Sequence, residues 1–148
     1  MLIMVLIPAP AFAVAEKLKS AIDARIDKIN EMSSTLHMTE HVLTRYQAQV
    51  DAGLKRMESR EIADMKGELS SIYDSLNERD QDIKRLETDY SSLKAEYERT
   101  GNQLSLEDHT SLRDDLEEFR DRLDALQALM DRVRDRLDDL QFRTAEPQ

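Results

Sequence analysis

Two histidines and a glutamate lie close together near residue 40, in the stretch His37-Met38-Thr39-Glu40-His41. Residues four apart share one face of a helix, so His37 and His41 have the spacing of two imidazole ligands for a zinc ion. A glutamate beside them would activate a metal-bound water, and the order His-x-x-Glu-His occurs in one class of zinc proteases. The stretch is therefore a candidate metal site made by His37, Glu40 and His41.

The plainer interpretation is two exposed histidines on a helix, and the surrounding sequence favours it. A catalytic zinc needs a third protein ligand and a pocket that excludes water, and this part of the chain offers neither. His109 is predicted to be a polar cap beside a turn. Tyr90 and Tyr97 fall on predicted core positions, so packing accounts for them. We therefore predict a protein that is not an enzyme, with no cofactor and no metal.

Composition limits the class of protein. The chain has 148 residues, 40% hydrophobic and 35% charged, which is typical of long or coiled-coil helices in a single domain. The formal net charge of -10 argues against nucleic acid as a partner, because phosphate binding depends on lysine and arginine. Cysteine is absent, which excludes disulfides and thiol chemistry.

The first 15 residues, MLIMVLIPAPAFAVA, are uncharged and form a separate segment. They are too few to span a membrane as a helix, and Pro8 and Pro10 would break one. A short apolar stretch before small-x-small triplets is the pattern of a secretory signal peptide, with cleavage after Ala13 or Ala15. The segment lacks the usual lysine or arginine, so the alternative is a retained apolar arm, which would give the chain its one possible membrane contact.

A row of apolar residues repeats at every seventh position in the next part of the chain. The row consists of Ile22, Ile29, Leu36, Leu43, Val50 and Met57. Such a row forms one side of a coiled-coil seam, but its companion row is mixed in character. An arm of residues 16–64 would therefore lack the apolar surface to be stable alone. We expect these six residues to bind a partner chain, either another protein or a second copy.

One long helix from Glu16 to Thr100 is the simplest prediction, because no proline interrupts it and its two glycines stand alone. The apolar row slips by one residue between Met57 and Met65. We expect a bend there rather than a loop. If the slip is a loop instead, the chain has three helices of similar length.

Residues 65–142 carry two regular heptad seams separated by a helix-breaking stretch at 101–105. Gly101 favours the left-handed conformation that ends many helices, and Ser105 is a candidate N-cap for the next one. The two seams therefore predict an antiparallel hairpin. Its register places Tyr90 opposite Phe119.

The predicted fold is all-α: an elongated coiled coil with a long N-terminal helix, an antiparallel helical hairpin over 65–142 and a tail over 143–148. The alternative is a three-helix, spectrin-like bundle. The predicted function is that of a structural or adaptor protein, exported to the periplasm or the extracellular space, that binds proteins and forms homo-oligomers. The alternatives are a subunit of a secretion or envelope assembly or a chaperone-like clamp and, more remotely, a zinc metalloenzyme.

Overall fold

The computed structural model describes residues 9–145, with side chains from residue 13 onward. The described chain is all-α, as predicted. Its elements are α1 (Ala9–Ala52), α2 (Ser59–Thr100) and α3 (Leu106–Ala145), joined by single 3-10 turns at Leu54–Arg56 and Gly101–Gln103. Residues 1–8 of the predicted signal peptide and residues 146–148 of the predicted tail lie outside the described residues.

The prediction of one helix from Glu16 to Thr100 is wrong, because the chain reverses at residues 53–58. Gly53 has φ 112° and ψ 124°, a conformation that side chains rarely allow, and its N–H donates to the Val50 carbonyl at 3.0 Å. The Met57 N–H then closes the 3-10 turn on the Leu54 carbonyl, also at 3.0 Å. The break is thus a loop, as in the three-helix alternative.

α1 and α3 run parallel and are tied together in a constant register. The contacts that join them are Asn30 with Arg122 at 2.6 Å, Glu40 with Arg132 at 2.6 Å and Asp51 with Arg143 at 2.8 Å. In each pair the two residues are 92 positions apart. A constant difference in residue number along two helices is the signature of parallel packing.

α2 runs antiparallel to both other helices, so the bundle is up-down-up. Arg25 of α1 bonds to Asp89 near the end of α2 at 2.9 Å, whereas Tyr46 donates its hydroxyl hydrogen to Glu68 near the start of α2. The predicted hairpin of α2 and α3 is confirmed in its register. Tyr90 meets Phe119 edge to face, with ring centroids 5.4 Å apart.

One hydrophobic core runs the length of the bundle, and α1 supplies a full share of it. Five members of the heptad row predicted to bind a partner are buried, at 0–5% exposure: Ile22, Ile29, Leu36, Leu43 and Val50. The sixth member, Met57, is half-buried. The predicted companion row contained Arg25, Met32 and Tyr46; in the structure Met32 and Tyr46 are buried, and Leu18 and Ile26 are buried with them. The expected partner-binding arm is therefore packed inside its own chain, mainly against α3.

The second reversal differs in one detail from the sequence-based prediction. Gly101 is right-handed, with φ −55° and ψ −33°, and continues into a 3-10 turn instead of taking the left-handed conformation. A Cβ at Gly101 would lie 3.5 Å from the His109 ring, so the turn packs closely on α3. The predicted N-cap is confirmed, because the Asp108 N–H donates to Ser105 Oγ at 3.1 Å.

α1 begins within the predicted apolar segment. Its backbone is helical from Ala9, so Pro10 stands in the first turn, where a proline removes no helical hydrogen bond. Val14 packs against the core and Ala15 is 5% exposed. The bundle thus starts one or two residues before the predicted boundary at Glu16. No helix of residues 9–145 has the length and hydropathy needed to cross a membrane.

Candidate functional site

The histidine–glutamate stretch lies on the outer face of α1. Leu36 and Leu43 point into the core, so the helix directs His37 and His41 into solvent and places Glu40 at the edge that faces α3. Only Glu40 is half-buried. All three residues lie within one and a half helical turns. The Glu40 carboxylate nevertheless faces α3, whereas the two imidazoles face solvent.

Arg132 of α3 donates hydrogen bonds to both oxygens of the Glu40 carboxylate. Its Nε donates to Oε2 at 2.6 Å and its Nη2 donates to Oε1 at 3.3 Å, which is the bidentate geometry that arginine favours. These hydrogen bonds are the largest cause of a lowered pKa for Glu40. His37 Nδ1 lies 3.7 Å from Oε1. A carboxylate so engaged is a weaker base than a free one, and its geometry serves to join α1 to α3.

Within residues 9–145 the fold brings no third protein ligand to His37 and His41. Within the part of the chain that the structure describes, no three His, Asp or Glu side chains come together to form a metal site. His37 and His41 share a solvent-facing surface, and Glu40 is bonded to Arg132. The chemistry open to this surface is that of two exposed imidazoles.

Two polar atoms on the inner edges of the bundle have no hydrogen-bond partner among the described residues: Arg79 Nε and Asp115 Oδ2. Arg79 is half-buried. Burial is the main cause of a raised pKa for Asp115, and the neighbouring Asp23 carboxylate of α1 raises it further. Both side chains are half-buried at the edge of the core, and Thr144 is the buried polar residue of positions 13–145.

His109 and Tyr97 close the turn between α2 and α3. The Tyr97 hydroxyl lies 2.7 Å from His109 Nδ1 and also donates to the His109 carbonyl at 3.2 Å. Their rings meet edge to face at 4.9 Å, and burial raises the pKa of Tyr97. This arrangement matches the predicted polar cap and leaves His109 without the free geometry of a general base.

A cavity of about 520 Å³ lies at the opposite end of the bundle, where the loop after α1 meets the last turn of α3. We call it the loop-end cavity. Its lining combines apolar side chains with cations: Val50, Ala52, Gly53, Leu54, Lys55, Arg56, Phe142 and Arg143. The sequence-based prediction missed it, because residues 53–58 were assigned to a continuous helix. Gly53 is followed by Lys55 and Arg56 in the sequence, but a lone glycine before two cations does not by itself predict a break.

The loop-end cavity and the surface around Glu40 are thus two of the places where polar groups converge outside the core. No protein-family model matches the chain, and neither a curated protein nor a solved structure shows significant similarity to it.

Proposed function

We propose that the chain is a non-catalytic helical module that acts as a structural spacer or adaptor between protein partners. The observation that carries the proposal is the register between α1 and α3. Contacts 92 positions apart recur from Asn30 with Arg122 to Asp51 with Arg143, so the two parallel helices are joined over much of their length. A bundle held in this way is a stiff rod with two separated ends.

The dimensions and surface suit that role. α1 has 44 residues, which corresponds to a length of about 66 Å. Its apolar row is used inside the bundle, so partners would meet a charged exterior and the two ends. The reason for predicting a homo-oligomer was an unpartnered α1, and α1 now has a partner within the chain. The proposal therefore concerns other proteins, such as subunits of a secretion or envelope assembly.

Export to the periplasm or the extracellular space remains a prediction from residues 1–15. It is supported by the uncharged stretch of residues 1–13, and cleavage after Ala13 would leave the first core residues, Val14 and Ala15, on the protein. The mass of the chain isolated from its native source checks it. Loss of 13 or 15 residues is expected, and an intact chain inside the cell would contradict it.

Crosslinking mass spectrometry on the protein in its native source tests the adaptor role. The linker should react with carboxylates, because α3 contains no lysine. We expect intrachain links between α1 and α3, together with links from exposed carboxylates to one or two other proteins. Links to no other protein would contradict the proposal.

The enzyme alternative has its own test. Metal analysis after purification without chelators should find less than stoichiometric zinc, because the structure gives His37 and His41 no further ligand. The adaptor role would be contradicted, and a zinc enzyme supported, by two results together: stoichiometric zinc that is lost in the His37→Ala variant, and a changed phenotype for Glu40→Gln.

A further inference from the structure

The loop-end cavity has the size and mixed lining of a binding site. Its volume of about 520 Å³ falls within the range of ligand pockets, and it is widely open to solvent, as a surface that receives a few peptide residues would be. It forms because Gly53 turns the chain back at the end of α1, which brings the 3-10 turn Leu54–Arg56 over the last turn of α3. The cavity is thus a product of the chain reversal.

Cations surround the mouth of this cavity. Arg143 is already paired, with Asp51 at 2.8 Å and with Asp139 at 3.8 Å. Lys55 and Arg56 are exposed, and no carboxylate within residues 13–145 forms an ion pair with either of them. In a chain with a net charge of -10, two adjacent cations without a partner mark this end as a place for an anionic group.

An apolar surface adjoins the cations. Phe142 is 67% exposed, although it is one of only three phenylalanines in the chain, and it lines the cavity together with the half-buried Leu54. Val50 forms the floor at 5% exposure. Aromatic side chains and arginine are both enriched at protein–protein interfaces.

We propose that the loop-end cavity binds a short acidic peptide segment of a partner protein. Carboxylates of the segment would pair with Lys55 and Arg56, and an apolar side chain next to them would cover Phe142 and Leu54. This inference rests on the proposed adaptor function, and it names the class of partner and the end of the rod that binds it.

The charges around the cavity favour a short peptide over a long polyanion. Asp51 and Glu58 lie within a few residues of the two cations along the chain, and Asp139 pairs with Arg143, which also lines the cavity. A nucleic-acid backbone or an anionic bilayer would bring many phosphates against these carboxylates, at distances where repulsion is not screened by salt. A segment with two or three carboxylates reaches Lys55 and Arg56 without that cost.

Amide chemical shifts of the full chain, followed by NMR during a titration, test this proposal. The probe is the acetylated and amidated pentapeptide Asp-Phe-Glu-Leu-Asp, with Lys-Phe-Lys-Leu-Lys as the charge-reversed comparison. We expect the acidic peptide to shift the amides of residues 50–58 and 140–145, with binding that weakens as salt rises. The basic peptide should leave them unchanged.

Matched variants locate the site. The double variant Lys55→Gln, Arg56→Gln should weaken binding about tenfold, because two charged contacts are lost. The control double variant Lys84→Gln, Arg85→Gln removes another adjacent and exposed lysine and arginine, in the middle of α2, and should leave binding unchanged. Phe142→Ala should weaken binding several-fold, whereas Leu106→Ala, which removes an exposed apolar side chain at the other end of the bundle, should not.

Each other outcome overturns the inference in a distinct way. Shifts for neither peptide at millimolar concentration, or equal shifts for both, would exclude the acidic segment and leave the adaptor role to other surfaces. Binding that appears only after removal of residues 146–148 would assign the cavity to the chain's own tail. Cosedimentation with phosphatidylserine vesicles that is lost in the Lys55→Gln, Arg56→Gln variant, without peptide binding, would assign it to a membrane surface.

Discussion

The Arg132 guanidinium determines what the Glu40 carboxylate can do. Its bidentate hydrogen bond, at 2.6 and 3.3 Å, occupies both carboxylate oxygens and lowers the pKa of Glu40. The sequence showed that Glu40 stands between two histidines. It did not show that an arginine 92 positions away would bind it, because that contact depends on how α1 and α3 are brought together.

Replacement of Glu40 by glutamine should lower the stability of the fold in a pH-dependent way. The pKa of Glu40 in the folded chain lies below its ordinary value of 4.5, so the ionised carboxylate stabilises the fold above about that pH. This stabilisation is lost as the pH falls through the lowered pKa. We expect Glu40→Gln to lower Tm by on the order of 2 °C at pH 7 and by nothing measurable near pH 2.

Thermal unfolding followed by circular dichroism between pH 2 and pH 7 measures this difference. Glu31→Gln is the matched control, because Glu31 is an exposed glutamate on the same helix. Its Tm should stay close to that of the unmodified chain at every pH. An equal Tm for Glu40→Gln and the unmodified chain at pH 7 would mean that the pair with Arg132 does not stabilise the fold.

At the scale of elements, the two interior glycines have opposite roles. Gly53 takes a φ of 112° at the end of α1, where an L side chain is strained, whereas Gly67 lies within α2 and a Cβ there meets nothing within 4 Å. Both look alike in the sequence, as isolated glycines between helical residues. The difference arises because burying Ile22, Leu36 and the rest of their row against α3 requires the reversal at Gly53.

Alanine at the two glycines should therefore change stability in opposite directions. Gly53→Ala forces a side chain into a conformation that costs about 1–3 kcal/mol. Gly67→Ala should instead raise the free energy of unfolding by about 0.5–1 kcal/mol, because alanine is the better helix former. Urea unfolding measures both. A neutral or stabilising Gly53→Ala would indicate that α1 continues into α2 as one helix.

Local patterns predicted the hairpin well and the first arm poorly. Tyr90 opposite Phe119 and the Ser105 cap follow from heptad spacing and from a polar residue at a helix start, and both are present. The break at residues 53–58 has no such local signal, because a lone glycine costs a helix only about 1 kcal/mol. The loop-end cavity depends on that break, so it could not be predicted before the fold was known.

At the scale of the whole molecule, three helices of 44, 42 and 40 residues form one rod with a continuous core. α3 contacts both other helices and holds α1 in register, so within residues 13–145 no long apolar helical face is left for a partner helix to cover. This arrangement supports the proposal that partners bind through the ends and the charged exterior. The central claim is therefore that α1 packs in parallel against α3 of the same chain.

One distance measurement tests that claim directly. The chain has no cysteine, so Glu31→Cys with Asp121→Cys places two spin labels at exposed sites on α1 and α3 without other labelling. Doubly labelled protein diluted into unlabelled protein reports the distance within one chain by pulsed electron paramagnetic resonance. The three-helix bundle predicts about 20 Å, from packed helices and outward labels. A distance of about 80 Å, expected if Glu16 to Thr100 were one helix, would contradict it.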